Sequence, residues 1–244
     1  MADIRIDTSR LTYTQFLIPE LNSWFEGADA PTIRLKPGVY GFQQISGGSG
    51  PIFRFEVRPD GLIDYDPANE KFLDGRGATT LNVRGFTITL DGRALSHDLS
   101  PLGMPPSVVG LSRHSTHEFT FIPGPYHFRL QANTSYPIEA DFWLNVNADG
   151  QVVVDPRSAG IATATDRTLT INGHRVTIDG RALSHDLQLV GMVGSDVAAD
   201  LPRDRTHEFT LIPGAGYRFQ PAGGIVKSEK PVYDKDHNAI RSRS

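Results

Sequence analysis

The nine residues DGRALSHDL stand twice in this chain, at 91–99 and again at 179–187. They sit inside a longer echo, TLNVRGFTITLDGRALSHDL (80–99) and TLTINGHRVTIDGRALSHDL (168–187), at a spacing of 88 residues. A repeat of this period constrains the fold more than any bulk property. Each unit buries its apolar face against a neighbour, so the copies must pack on one another. Further echoes fix the period. RLKPGVYGFQ (34–43) returns as FIPGPYHFRL (121–130) and LIPGAGYRFQ (211–220), and THEF occurs at 116–119 and 206–209. FRFEVRPDGLIDYDP (53–67) returns as FWLNVNADGQVVVDP (142–156).

These echoes predict an N-terminal accessory segment (1–32), a first β repeat (33–118) and a second (119–208). A closing strand (209–220) and an extended tail (221–244) complete the chain. Short alternating apolar runs separated by Asx-Gly pairs are the signature of β-hairpins. Asn172-Gly173, Asp179-Gly180 and Asp91-Gly92 read as such turns, as do the Asp-Gly pairs at 60–61 and 149–150. The expected fold is all-β: two tandem antiparallel meander repeats of about 88 residues joined into one barrel-like or sandwich body. A lone copy of the PGxYxF strand after the second unit suits closure or capping of a sheet edge. Helix is scarce. PELNSWFEGADAP (19–31) predicts a short N-terminal helix, with Leu21, Trp24 and Phe25 on one side.

Strand alternation then sorts the polar residues of the repeated run. If the strand continues through DGRALSHDL, then Arg93, Leu95, His97 and Leu99 share the apolar face, as do Arg181, Leu183, His185 and Leu187. Ser96, Asp98, Ser184 and Asp186 point the other way. The adjacent Ser-His-Asp is therefore no catalytic triad, whose three side chains must converge. On the next strand His117 and His207 share a face with Phe119 and Phe209.

The ligand-binding candidates are thus Arg93, His97, His117, Arg181, His185 and His207. An Arg at a cavity rim holds a carboxylate or phosphate in bidentate fashion, whereas the simpler reading pairs it with the Asp two residues before. A histidine pair such as His97 with His117 could ligate a metal, but the roughly twenty-residue spacing fixes no geometry, and a core histidine bonded to a carbonyl is the commoner case. No metal and no cofactor are expected.

The chain carries a net charge of −4 and a pI near 6.0, which gives no basic footprint for nucleic acid. It has no apolar run of membrane-spanning length, no basic-then-apolar leader and no cysteine. The expectation is a cytoplasmic, non-enzymatic binding or assembly protein with an Arg/His-lined cavity for a small anionic or hydroxylated ligand. It has no nucleic-acid or membrane partner and could form a homo-oligomer. The rival reading is an acid–base enzyme, a cyclase, isomerase or hydrolase of a small metabolite, with a site built from both repeats.

Overall fold

The computed structural model describes residues 1–45, 50–102, 110–131, 139–190 and 200–222. The chain is mostly β, in several sheets, none of which closes into a barrel among the described residues. The arrangement is consistent with a sandwich-like body. The described helical turns are 3-10 segments of three to five residues, and among the described residues no helix is long and apolar enough to cross a membrane. Most of the expected tail, from residue 223 onward, lies outside the described residues.

One strand pairing occurs three times in the same register. Ala2–Asp7 runs antiparallel to Thr32–Leu35, with Ala2 opposite Leu35. Phe86–Asp91 pairs likewise with Thr116–Phe121, placing Phe86 opposite Phe121. His174–Asp179 pairs with Thr206–Leu211, placing His174 opposite Leu211. The first two of these also hold a parallel strand on the other side. Thr80–Val83 lies beside the first, with Ile6 against Leu81, and Thr168–Ile171 lies beside the second, with Leu90 against Leu169. The third pair stands as a two-stranded sheet.

Other sheets are built on the PGxYxF strands. Gly38–Gln44 pairs with Ile52–Val57, and Gly124–Gln131 with Glu139–Val146. Alternation explains the core: along Ile52–Val57, Phe53, Phe55 and Val57 are buried while the residues between them are exposed. One contiguous cluster runs from Ile4 to Ile212, with Phe16, Phe42 and Phe53 stacked at 4.9 and 4.8 Å. Leu201, Phe209 and Leu211 form a second, smaller cluster.

Three sequence expectations are corrected. Segment 19–31 is not a helix: two 3-10 turns, Pro19–Leu21 and Gly27–Asp29, flank the strand Ser23–Glu26, which pairs with Gln15–Ile18. Opposite faces of that strand separate the aromatics, so Phe25 stacks on Phe16 while Trp24 stands 63% exposed. TLTI and HRVTI do not form a hairpin, because Thr168–Ile171 belongs to the sheet of Phe86–Asp91 and His174–Asp179 to another. Gly173 is instead a point of close approach, where a Cβ would lie 2.3 Å from Thr210 Cγ2. Finally, the strand ends at Asp91, and residues 92–98 form turns rather than the third strand of a meander.

Candidate functional site

Both copies of DGRALSHDL leave their strand at an aspartate, and that aspartate folds the turn. Asp91 Oδ1 accepts from the Arg93 main-chain N–H at 3.0 Å and from its Nε at 2.9 Å, while Oδ2 accepts from Nη2 at 2.8 Å. Asp179 and Arg181 repeat the arrangement at 3.0, 2.8 and 2.7 Å. The bidentate guanidinium holds the Asp91 carboxyl below its ordinary range and that of Asp179 at about 2. Arg93 and Arg181 are exposed, with side chains 58% and 64% accessible. Strand parity places them inward only if the strand is unbroken. The turn swings them into solvent instead.

His97 is fully buried. Its Nδ1 lies 2.7 Å from the Asp98 carbonyl, which can only accept, so Nδ1 carries the proton. Nε2 then accepts from the Tyr217 hydroxyl at 2.9 Å, and that hydroxyl accepts from the Ile212 N–H at 2.8 Å. Burial lowers the pKa of His97 and pushes that of Tyr217 up to about 12, so the chain of bonds keeps one polarity. His185, at the matching place in the second copy, is exposed, its Nδ1 2.8 Å from the Ser184 hydroxyl. His117 and His207 are partly buried, and each donates Nε2–H to a loop carbonyl: Ser112 at 2.9 Å and Pro202 at 2.8 Å.

Five of the six candidates are therefore engaged by neighbours close in sequence and His97 by Tyr217 as well, and among the described residues no hydrogen bond joins any two of the six. Clefts open elsewhere. One of about 260 Å³ lies among Asp7, Arg10, Asp74, Asn82 and Arg84, and one of about 370 Å³ lies beside Arg54, Tyr65 and Arg76. Among the described residues no group of three His, Asp or Glu side chains is placed to hold a metal.

The structure gives the other residues of the motif a different role. Asp98 Oδ1 accepts from the Arg113 N–H at 2.8 Å, and Asp186 Oδ1 from the Arg203 N–H at 2.9 Å, so each aspartate pins the loop that leads into its unit's THEF strand. Ser96 reaches further along the chain. Its N–H donates to the Thr210 carbonyl at 3.0 Å, and its Oγ accepts from the Thr210 N–H at 2.8 Å. Thr12 makes the same reciprocal pair with Thr120, at 3.0 and 2.8 Å.

Sequence reasoning missed Thr12. The echo is faint there, with DTSRLTYT (7–14) standing in the place of DGRALSHD, and the Asp-x-x-x-Leu-Ser/Thr spacing is its trace. Searches against protein-family models, curated proteins and solved structures find no match to this chain.

Proposed function

We propose that this chain is an assembly protein, a stack of one β unit of about 88 residues whose C-terminal end takes up a further β element. On this reading the units begin at residues 1, 85 and 173, each one residue before its own copy of the three equivalent strand pairs, which start at Ala2, Phe86 and His174. The third unit is partial. The reading keeps the assembly half of the sequence expectation and drops the Arg/His cavity, since those side chains are exposed or already bonded, most within their own loops and His97 to Tyr217.

The observation that carries it is the pairing of His174–Asp179, which is one-sided among the described residues. Its two counterparts are covered by a parallel strand, and Ile4 and Ile88 on them are 0% and 2% exposed. Val176, at the equivalent place, is 37% exposed. An edge of this kind presents a row of main-chain donors and acceptors to any matching strand. The register of that strand follows from the two internal examples. Arg5 N–H donates to the Thr79 carbonyl and Thr89 N–H to the Arg167 carbonyl, both at 2.9 Å, so Thr177 N–H is the corresponding donor.

A peptide of residues 161–172, IATATDRTLTIN, contains both strands that cover Phe86–Asp91 on that side. Added in excess to the full chain, it should slow hydrogen exchange at Thr177 and Asp179, whereas a scrambled peptide should not. Unchanged exchange at Thr177 under saturating peptide would rule the reading out.

A further inference from the structure

The loop that follows each strand of the equivalent pairs clamps the hairpin of the next unit, and this clamp is displayed twice. Thr12 grips Thr120 through two reciprocal bonds, and Ser96 grips Thr210 in the same way. A leucine precedes each gripping residue and packs where a glycine leaves room. Leu11 lies against Gly85 and Leu95 against Gly173, with leucine methyls 2.8 and 2.9 Å from where a Cβ would stand. Both leucines are buried, at 4% and 2% exposure.

The third gripping loop is present, but among the described residues its Leu183 and Ser184 grip no strand. Leu183 is 40% exposed, and the Ser184 hydroxyl is turned to its own neighbour His185. The complementary half stands at the other end of the chain. Arg34 lies opposite Asp3 in the register that puts Thr120 opposite Thr87 and Thr210 opposite Arg175. In an antiparallel pair, alternate residues turn their main-chain groups away from the partner strand. Thr120 and Thr210 do so to meet Thr12 and Ser96, and Arg34 therefore offers the same outward N–H and C=O.

From these two halves, both unfilled among the described residues, we infer that the partner is a second copy of this chain, joined head to tail, with Leu183 and Ser184 of one copy seated on the Arg34 edge of the next. The inference rests on the assembly reading above and supplies its partner. Such a contact is heterologous, so it leaves a free half at each end and propagates into a ring or a filament. Met1 makes it weaker than the internal clamps. This residue stands where Gly85 and Gly173 leave room for a leucine, so Leu183 must displace an exposed side chain to seat.

Sedimentation velocity of the full chain over a wide concentration range tests this. The wild type should grow past the dimer as concentration rises. Leu183→Asp removes the gripping leucine, and Arg34→Pro removes the outward N–H without touching the ladder bonds of Ile33 and Leu35. Each variant alone should sediment at the 26.8 kDa monomer mass, with self-association weakened at least about tenfold. Mixed together, each supplies the half the other lacks, and a dimer of twice that mass should form and stop there.

Cross-linking gives a second measurement that does not depend on how the proline is tolerated. The chain has no cysteine, so Ser184→Cys and Arg34→Cys chains should oxidise on mixing to the mixed disulfide in preference to either homodimer. A wild type that stays monomeric, or a mixture that gives no mixed dimer and no mixed disulfide, overturns the inference. If the 161–172 peptide still protects Thr177 in that case, the assembly reading survives with another partner. If it does not, both fall.

Discussion

Truncating Leu95 and Leu183 to alanine, one at a time, compares the same residue of the same nine-residue sequence in two surroundings. Leu95 is 2% exposed and fills the space left by Gly173, whereas Leu183 is 40% exposed. Leucine to alanine removes three carbons, each worth about 0.8 kcal/mol when buried, or roughly 2.4 kcal/mol in transfer alone. At Leu95 a cavity remains because the surrounding strands hold their positions, which raises the expected cost to about 3–4 kcal/mol. At Leu183 only part of that transfer is at stake and water fills the space, so the expected cost is about 1 kcal/mol. For a chain of this size, a loss of 1 kcal/mol lowers Tm by about 2–4 °C. Leu95→Ala should therefore lower Tm by about 6–15 °C and Leu183→Ala by a few degrees. The measurement is urea and thermal unfolding by circular dichroism at low micromolar concentration, with the urea m-value checked for constancy. Equal losses at the two positions, or a larger loss at Leu183, would refute the packing assigned to this loop.

Three other outcomes rest on the same geometry. Ser96→Ala leaves the Thr210 N–H without its acceptor and should cost about 1–2 kcal/mol in urea unfolding, while Ser184→Ala should leave dilute-solution stability within about 0.5 kcal/mol. His97 is buried neutral with a lowered pKa, so the unfolded chain takes up its proton first as pH falls. Its contribution should be level above about pH 6.5 and decline below it, by at most about 1.4 kcal/mol per pH unit, and His97→Phe should flatten that slope in a pH series of urea midpoints. Arg181→Ala should return the Asp179 carboxyl from about 2 to the ordinary aspartate range in an NMR titration, with little change in Tm because the pair is exposed.

What the sequence made legible was local. The Asp-Gly turns at 60–61 and 149–150 close true hairpins, Val57 opposite Ile63 and Val146 opposite Val152, and both glycines take the positive φ that such turns require. Asn172-Gly173 carries an equally good turn signal and closes none. Thr168–Ile171 finds its partner about 80 residues upstream at Thr89–Asp91, and no local pattern reports a contact of that range. Gly173 is needed there for space, and a dipeptide cannot say whether its glycine serves a turn or a crossing. The face assignment of DGRALSHDL failed at Arg93 for a related reason, although Leu95, His97 and Leu99 are buried as it placed them. Alternation holds only while the ladder holds, and the Asp91–Arg93 bonds end it at the first turn residue. At 19–31 the cue was a pair of adjacent aromatics. Helical spacing puts Trp24 and Phe25 on one side, whereas a strand separates them.

The two identical copies also sort the motif by what each residue needs. Asp91 and Asp179, Arg93 and Arg181, Asp98 and Asp186, and His117 and His207 make matching bonds in both copies, all to neighbours within their own loops and strands. These residues build the turn, and their surroundings do not depend on what lies beyond it. Leu95, Ser96 and His97 differ from Leu183, Ser184 and His185 in burial, in bonding or in both, although the sequence is the same. The first three meet Gly173, Thr210 and Tyr217, whereas among the described residues the second three meet no such hairpin. A residue whose environment depends on the next hairpin is a stacking residue. On the assembly reading, the Leu-Ser-His at the centre of the repeated run joins one unit to the next, while the aspartates and arginines around it hold the loop in position to do so. On that reading residues 183–185 are where the chain would take up a further β unit, and adhesion between such units is the chemistry to test in this motif.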